Sequence, residues 1–297
     1  FVFMNLDDIP GDINTLTRED LDPTDRWILS RMNHTIRAVD EAYSKYRMND
    51  AVKHVYDFTR GEFCDWYIEL SKVRLFGDAT RPRKTAQIVT VHVLKSILKL
   101  LHPYAPYITE EIWSHIRNND ESMLIHATWP EFDPERISDE SEVSMRVIMD
   151  IISAVRNIRT NLNIPPGKPA SMHIRCNKNH QNILEHYQEY IARLAKIENQ
   201  KTGSDLKKPH HSATAVLHQM EIFIPLEGLI DLDKEIDRLK SQIAAMEGRL
   251  KAVNGKLNNQ NFISRAPSHV VEHEQTKQKN YEENLRKLNE NLHSIME

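Results

Sequence analysis

Residues 228–257 read GLIDLDKEIDRLKSQIAAMEGRLKAVNGKL, and their spacing decides what kind of fold this chain can have. Leu229, Leu232, Ile236, Leu239, Ile243, Met246, Leu250, Val253 and Leu257 fall at alternating three- and four-residue intervals, the a/d repeat of a coiled-coil seam. At 1.5 Å per residue the predicted rod is about 40 Å long. Residues 258–268, NNQNFISRAPS, interrupt the pattern, and Tyr281, Leu285, Leu288, Leu292 and Ile295 resume it. Two helices with a short link predict an antiparallel hairpin. Gly248 and the pair Asn254-Gly255 weaken its first helix and mark a place for a kink.

Upstream, the period changes. SMHIRC, TAVLHQ and EIFIPL alternate as strands do, around one amphipathic helix expected from about Gln181 to Leu194. The run from Glu198 to Ala213, rich in Gly, Ser, Lys, Pro and His, reads as loop, with His210 and His211 a solvated pair inside it. Residues 166–226 are therefore expected to form a small α/β subdomain.

From Asp22 to about Asn163 the spacing is helical again. Asp22, Pro23 and Thr24 open a first helix with a cap followed by a first-turn proline, and it should end near Tyr46. Asn49 or Asp50 is positioned to cap a second, aromatic helix that carries Val52, Val55, Tyr56, Phe63, Trp66, Tyr67 and Leu70 and stops around Gly77. A third, nearly continuous in Ile, Val and Leu from Lys84 to His102, should be the most buried. Thr109 is the expected cap of a short fourth helix, and a fifth runs from near Ser141 to just before Pro165. The fold class is thus mostly α: a helical bundle over residues 1–165, the α/β subdomain over 166–226, and a coiled-coil hairpin over 227–297.

Composition removes several functions. Two cysteines, Cys64 and Cys176, make neither a disulfide framework nor a four-ligand zinc site, and a reducing cytosol is the simplest home. No apolar run approaches a membrane span. The first residue is Phe1, and FVFMNL reads as the tail of an apolar helix begun earlier, so the chain is taken as a fragment. No phosphate-binding glycine loop, G-x-S-x-G or H-E-x-x-H occurs. The carboxylate pairs Glu110-Glu111 and Asp7-Asp8 are assigned to caps or loops, where the helix dipole or solvent accounts for them. No catalytic and no metal-binding residue is proposed. The net charge of −4 means that any nucleic-acid site must be local. Such a site is offered by the hairpin from Arg249 to Lys279, where Arg249, Lys251, Lys256, Arg265, Lys277 and Lys279 face only Glu272 and Glu274. Arg156 and Arg159, three apart on one helical face, either meet nucleic-acid backbone or pair with carboxylates.

Several stretches, in order, resemble the region that follows the catalytic domain in valyl-tRNA synthetases. They are DRWILSR at Asp25 to Arg31, EFCDWYIEL at Glu62 to Leu70, LLHPYAPYITEEIW at Leu100 to Trp113 and VRNIRTNLNIPPGK at Val155 to Lys168, followed by GLIDLDKEIDRL and NFISRAPSHVVEHE in the hairpin. The resemblance implies an anticodon-binding bundle, a connecting subdomain and an arm lying against the tRNA elbow. It also implies anticodon contacts by Phe1, through ring stacking, and by Ile68 and Glu69, whose carboxylate can accept from a cytosine amino group. Phe63, Trp66, Trp113 and Trp129 are assigned to packing, and Cys64 to a small buried hydrophobe. The implied partners are valine tRNA and the catalytic and editing domains of the same polypeptide, with the protein a cytoplasmic monomer. ATP and Mg would serve the full-length enzyme, a valine-tRNA ligase; these residues lack the H-I-G-H and K-M-S-K-S motifs and are expected to be inactive alone, with no cofactor. The alternatives are the matching region of an isoleucyl or leucyl enzyme, or a coiled-coil adaptor for protein partners.

Overall fold

The computed structural model describes residues 1–6, 11–76, 80–118 and 121–296, without the side chains of residues 261, 265 and 291. The pair Asp7-Asp8 and Gly77 therefore lie outside the described residues. The chain divides into two compact units, Phe1–Met149 and Asp150–Glu297.

In the first unit, helix α1 spans Pro23–Ser44 and begins as its sequence dictates. Asp22 accepts from the Thr24 amide, Asp25 reaches back to the Asp22 amide, and Pro23 occupies the first turn. That reciprocal capping typically stabilises a helix by about 1 kcal/mol. Helix α2 covers Met48–Asp57 and is uncapped: Arg47 stands at its N-cap, so neither Asn49 nor Asp50 has the expected role. The aromatic helix continues from α2 without a stop but changes geometry, with Phe58–Tyr67 a π-helix before α3 at Ile68–Leu75. The Ile68 amide bonds the Phe63 carbonyl, a five-residue step. Helix α4, Arg81–Leu101, starts earlier than its apolar run because Pro82 fits the first turn; it packs against α1, α2, α3 and α5. Helix α5 covers Pro106–Ile116. Thr109 lies inside it and donates to the Ala105 carbonyl at 2.8 Å, a helix-interior bond in place of a cap. Glu110 and Glu111 are likewise helical, and Glu110 accepts from the Leu124 amide at 3.0 Å. FVFMNL forms only one 3-10 turn, Phe3–Asn5.

Helix α6, Asp139–Asn161, leads into the second unit. Strand β1 (Ala170–Arg175) is followed by α7 (Lys178–His186), α8 (Gln188–Ala195), β2 (Ile197–Gly203), β3 (Ser212–Leu217) and β4 (Met220–Pro225), with sheet order β2-β1-β4-β3. The helix expected over 181–194 is two helices broken at Tyr187. Residues 198–203 of the expected 198–213 loop belong to β2, parallel to β1, and the loop's last two residues open β3. The sequence of β2, IENQKTG, hid it because an edge strand exposes most of its side chains and is held by backbone bonds on one side. His218 and Gln219, read at the end of a strand, are both at positive φ and form the two-residue turn between β3 and β4. His211 lies in the preceding loop and touches the chain's end, its Nδ1 2.9 Å from the Ile295 carbonyl oxygen.

The hairpin consists of α9 (Leu232–Leu257), a short α10 (Gln260–Arg265) inside the interruption, and α11 (Ser268–Met296). Asp231 caps α9 through the Lys234 amide. All nine seam positions of the first helix and all five of the second are buried or half-buried. Helix α9 runs unbroken through Gly248 and Gly255. Pairing of Asn254 with Gln278 and of Lys256 with Glu274 makes the hairpin antiparallel.

Candidate nucleic-acid interface

The bundle brings two of its signature stretches into one polar network. Asp25, at the start of α1, is fully buried and accepts from the Tyr67 hydroxyl at 2.7 Å and from Arg74 Nη1 and Nη2 at 2.5 and 2.7 Å. Burial, reinforced by the Asp25 charge, pushes the Tyr67 phenol well above its ordinary range, so it stays a donor. Arg31 makes a two-pronged contact with Glu62 at 2.7 and 2.9 Å. These bonds fix α1 to the π-helix and α3, and so fix the direction in which the first turn of α3 faces.

That turn carries Ile68 and Glu69, both half-buried. Glu69 is held by Lys72 at 2.5 Å. Lys72 Nζ also lies 5.3 Å from the centre of the Phe1 ring, whose edge meets Phe76 at 6.1 Å. Phe1 and Phe76 are 41% and 58% exposed, which is unusual for large aromatic rings with neighbours to pack on. The structure thus joins Phe1 to Glu69 through Lys72 and sets Phe76 against the same ring; the sequence reading missed both Lys72 and Phe76. Their spacing from Glu69, three and seven residues, is one face of a helix. The same segment places Phe3 against His115 at 5.6 Å. An exposed ring over a cation, beside a carboxylate, is suited to stacking a base and accepting from its edge.

The packing assignments divide. Phe63 and Trp113 are buried at 3% and 2% exposure. Trp129 is half-buried, meets Tyr43 edge-on at 5.7 Å and donates to Asp40 at 2.9 Å; Trp66 is also half-buried. Cys64 is exposed, not a buried hydrophobe. The π-helix explains this, because it turns Phe58, Phe63 and Tyr67 inward together and leaves Cys64 and Asp65 outside.

On the hairpin, Arg249, Lys251 and Lys279 are exposed. Lys256 and Lys277 both hold Glu274, at 3.3 and 2.8 Å, and that carboxylate is only 5% exposed. The hydrogen bond from Lys277, then Lys256, draws the Glu274 carboxyl below its usual range. Two of the six proposed cations therefore have part of their charge answered within the arm. Arg265 ends α10, and its side chain lies outside the described residues. Arg156 and Arg159 meet main-chain carbonyls: Arg156 Nε donates to Leu194 at 3.1 Å, and Arg159 Nη2 donates to Pro165 and Lys168 at 2.9 and 2.6 Å. Arg159 is 7% exposed, a depth that a polar position near a helix end did not announce. Among the described residues no group of His, Cys, Asp or Glu could hold a metal ion, and no helix is long and apolar enough to cross a membrane.

A helical bundle presenting this face, followed by a hairpin whose distal end is basic, defines a tRNA-recognition module: residues 25–174 match the family model for the anticodon-binding domain of tRNA ligase. Residues 231–296 match the model for the valyl tRNA synthetase tRNA binding arm. A valine-tRNA ligase of Listeria innocua is 37% identical over 298 residues, covering 100% of this chain and 34% of that protein. That of Bacillus subtilis is 35% identical over 282 residues, covering 95% of this chain and 32% of that protein, and that of Fusobacterium nucleatum 35% over 301 residues, covering 100% and 34%. The chain belongs to the valyl-tRNA synthetase family, and it spans about a third of the length of the curated relatives it matches. The arm match favours this family over the isoleucyl and leucyl alternatives and over a protein adaptor.

Proposed function

We propose that this chain recognises valine tRNA for an enzyme that attaches valine to it. In this reading the bundle receives the anticodon loop and the hairpin, acting as a coiled coil, lies against the tRNA elbow. The observation that carries it is the exposed Phe1 ring above Lys72 and next to Glu69. An anticodon presents unstacked bases, which proteins hold by stacking on a ring and by hydrogen bonds to exposed edges. Phe1 supplies the ring, Glu69 an acceptor for an amino group, and Ile68 an apolar flank. The exposed arm cations Arg249, Lys251 and Lys279, with Arg265, Lys256 and Lys277, supply phosphate contacts that orient the tRNA without reading its sequence. Arg156 and Arg159 add further backbone contact.

Activation of valine with ATP and Mg, and editing, belong in this reading to catalytic and editing domains of the same polypeptide. No residue described above is assigned a step of that chemistry, because the chain contains neither H-I-G-H nor K-M-S-K-S. We place the enzyme in the cytoplasm as a monomer.

The test is equilibrium binding of the 297-residue chain to valine tRNA, to the same tRNA with an altered anticodon, and to isoleucine tRNA, each at two salt concentrations. Preference for the valine anticodon with salt-weakened affinity is the expected result. Equal binding of all three would remove anticodon reading from this face, and no binding at low salt would overturn the proposal.

A further inference from the structure

Within residues 150–297 two surface grooves meet at the end of α6; the anticodon reading uses neither, and the tRNA reading above takes from them only the separate side chains Arg156, Arg159 and Arg249. One, of about 550 Å³, follows the root of the hairpin from Arg238 to Arg249 on α9, with Asn284 and Lys287 of α11 along its other side. At 1.5 Å per residue, that stretch of α9 is about 16 Å long. The second, of about 640 Å³, is lined by Arg156 and Arg159 of α6, by the Ile164–Pro166 turn and by Lys196 after α8. Thr160 and Asn163 line both, which makes them one continuous channel.

Six cations border this channel, and no Asp or Glu is among its lining residues. The chain as a whole has more acidic than basic residues, so the lining is a local departure from composition. Part of the charge is answered nearby: Arg238 holds Glu235 at 2.7 Å and Lys287 holds Glu283 at 2.6 Å. Lys196 and Arg249 are exposed, and no carboxylate is paired with either among the described residues. Arg159 adds a second, independent sign of a ligand. Its Nη2 serves two carbonyls, while its Nη1 is buried with no partner. A buried guanidinium donor without an acceptor is costly, and the planar fork of arginine matches the oxygens of a phosphate.

We infer that this channel is a second seat for RNA, in which a phosphodiester strand lies along the root of the arm and adds affinity without base discrimination. The inference rests on the tRNA reading proposed above. Cations spaced along the channel suit a polyanion with repeated charges, whereas a single carboxylate or free phosphate would occupy one end only.

The experiment compares three forms of the full chain: the parent, the channel double variant Lys196→Glu with Lys287→Glu, and the tip double variant Lys251→Glu with Lys279→Glu. All four positions are exposed, and matched thermal melts confirm that each variant is folded. The probes are a valine tRNA transcript and the same transcript with an altered anticodon, titrated across salt. The expected result is that the channel variant weakens both transcripts alike, by about tenfold or more at low salt, and flattens the salt slope by about 2, since each lost phosphate contact removes close to one unit. If the channel variant keeps the parent's affinity and slope while the tip variant loses them, the inference falls and the tRNA reading stands. If the parent binds neither transcript, both fall. Binding of a polyglutamate peptide as tightly as RNA, abolished by the channel variant, would overturn the RNA assignment in favour of an acidic protein partner.

Discussion

Asp25 in the bundle and Glu274 in the arm are both buried carboxylates with cationic partners, yet the two regions use them differently. Asp25 is enclosed with its partners: the Arg74 side chain is 9% exposed and that of Asp25 is 0%. Glu274 sits at 7% while Lys256 and Lys277 stay 57% and 38% exposed. A guanidinium in a dry site gives up its long-range field and keeps a geometry; an ammonium left in water does the reverse. The bundle therefore spends its central charges on holding one shape, and the arm keeps its cations where a polyanion can feel them. Damage to the first should appear in folding, and damage to the second in binding.

The largest expected effect is at Asp25. Asp25→Asn leaves Arg74 buried without its counter-charge and should destabilise the bundle by about 3–5 kcal/mol. All four tryptophans, Trp27, Trp66, Trp113 and Trp129, lie in the first unit, so their fluorescence in a urea titration reads that unit alone. A loss under about 1 kcal/mol would erase the contrast with the arm.

A pH titration separates the regions next. Burial, helped by the Arg136 and Lys99 charges, holds the His92 imidazole down to about 4 in the folded bundle. A histidine held neutral contributes stability that is complete above its ordinary value near 6.5 and drains away as pH falls from there towards 4. Glu274, whose carboxyl is lowered instead, contributes stability that is complete above the ordinary glutamate value and is lost only below it. Between about pH 6.5 and 4.5 the tryptophan-reported melt should fall and His92→Gln should flatten that slope. A parent melt that is flat across this window would show that His92 is not held neutral.

Binding gives the third comparison. Glu69→Gln should cost about 1–3 kcal/mol of preference for the parent anticodon and leave the salt slope unchanged. Lys251→Ala with Lys279→Ala should weaken all tRNAs alike and lower the slope by about 1 per residue. An exchange of these two signatures in filter-binding assays would reverse the assignment of reading to the bundle and holding to the arm. The smallest effect is Gly248→Ala. A methyl group there meets nothing within 4 Å, so α9 should gain about 0.5–1 kcal/mol, read as higher thermal stability by far-ultraviolet circular dichroism.

Much of this architecture was legible because it rests on local rules. The Asp22-Pro23 start of α1 and the a/d spacing of α9 and α11 each need only neighbours along the chain, and both stand as the sequence implies. What was hidden depends on partners distant in sequence. Strand β2 has a polar sequence and exists because β1 offers it a backbone ladder. Lys72 acquires meaning only when Phe1, far away in the chain, lies over it. Arg159 is deep because it collects the carbonyls of Pro165 and Lys168. The π-helix was the one readable feature overlooked. Buried positions step from Phe58 to Phe63 to Tyr67, and a five-residue gap in an apolar stripe is the mark of an i→i+5 turn.

That π-helix also constrains how the segment can change over descent. Removing one residue between Phe58 and Phe63, such as the exposed Gly61, would shorten the five-residue step to the four of an α-helix, so Phe63, Tyr67 and Leu70 should keep their inward face. Inserting a residue has no such relief and should turn Glu69 away from Phe1 and Tyr67 away from Asp25. A one-residue gap here in an otherwise alignable relative should therefore leave this face intact, whereas an insertion should abolish it.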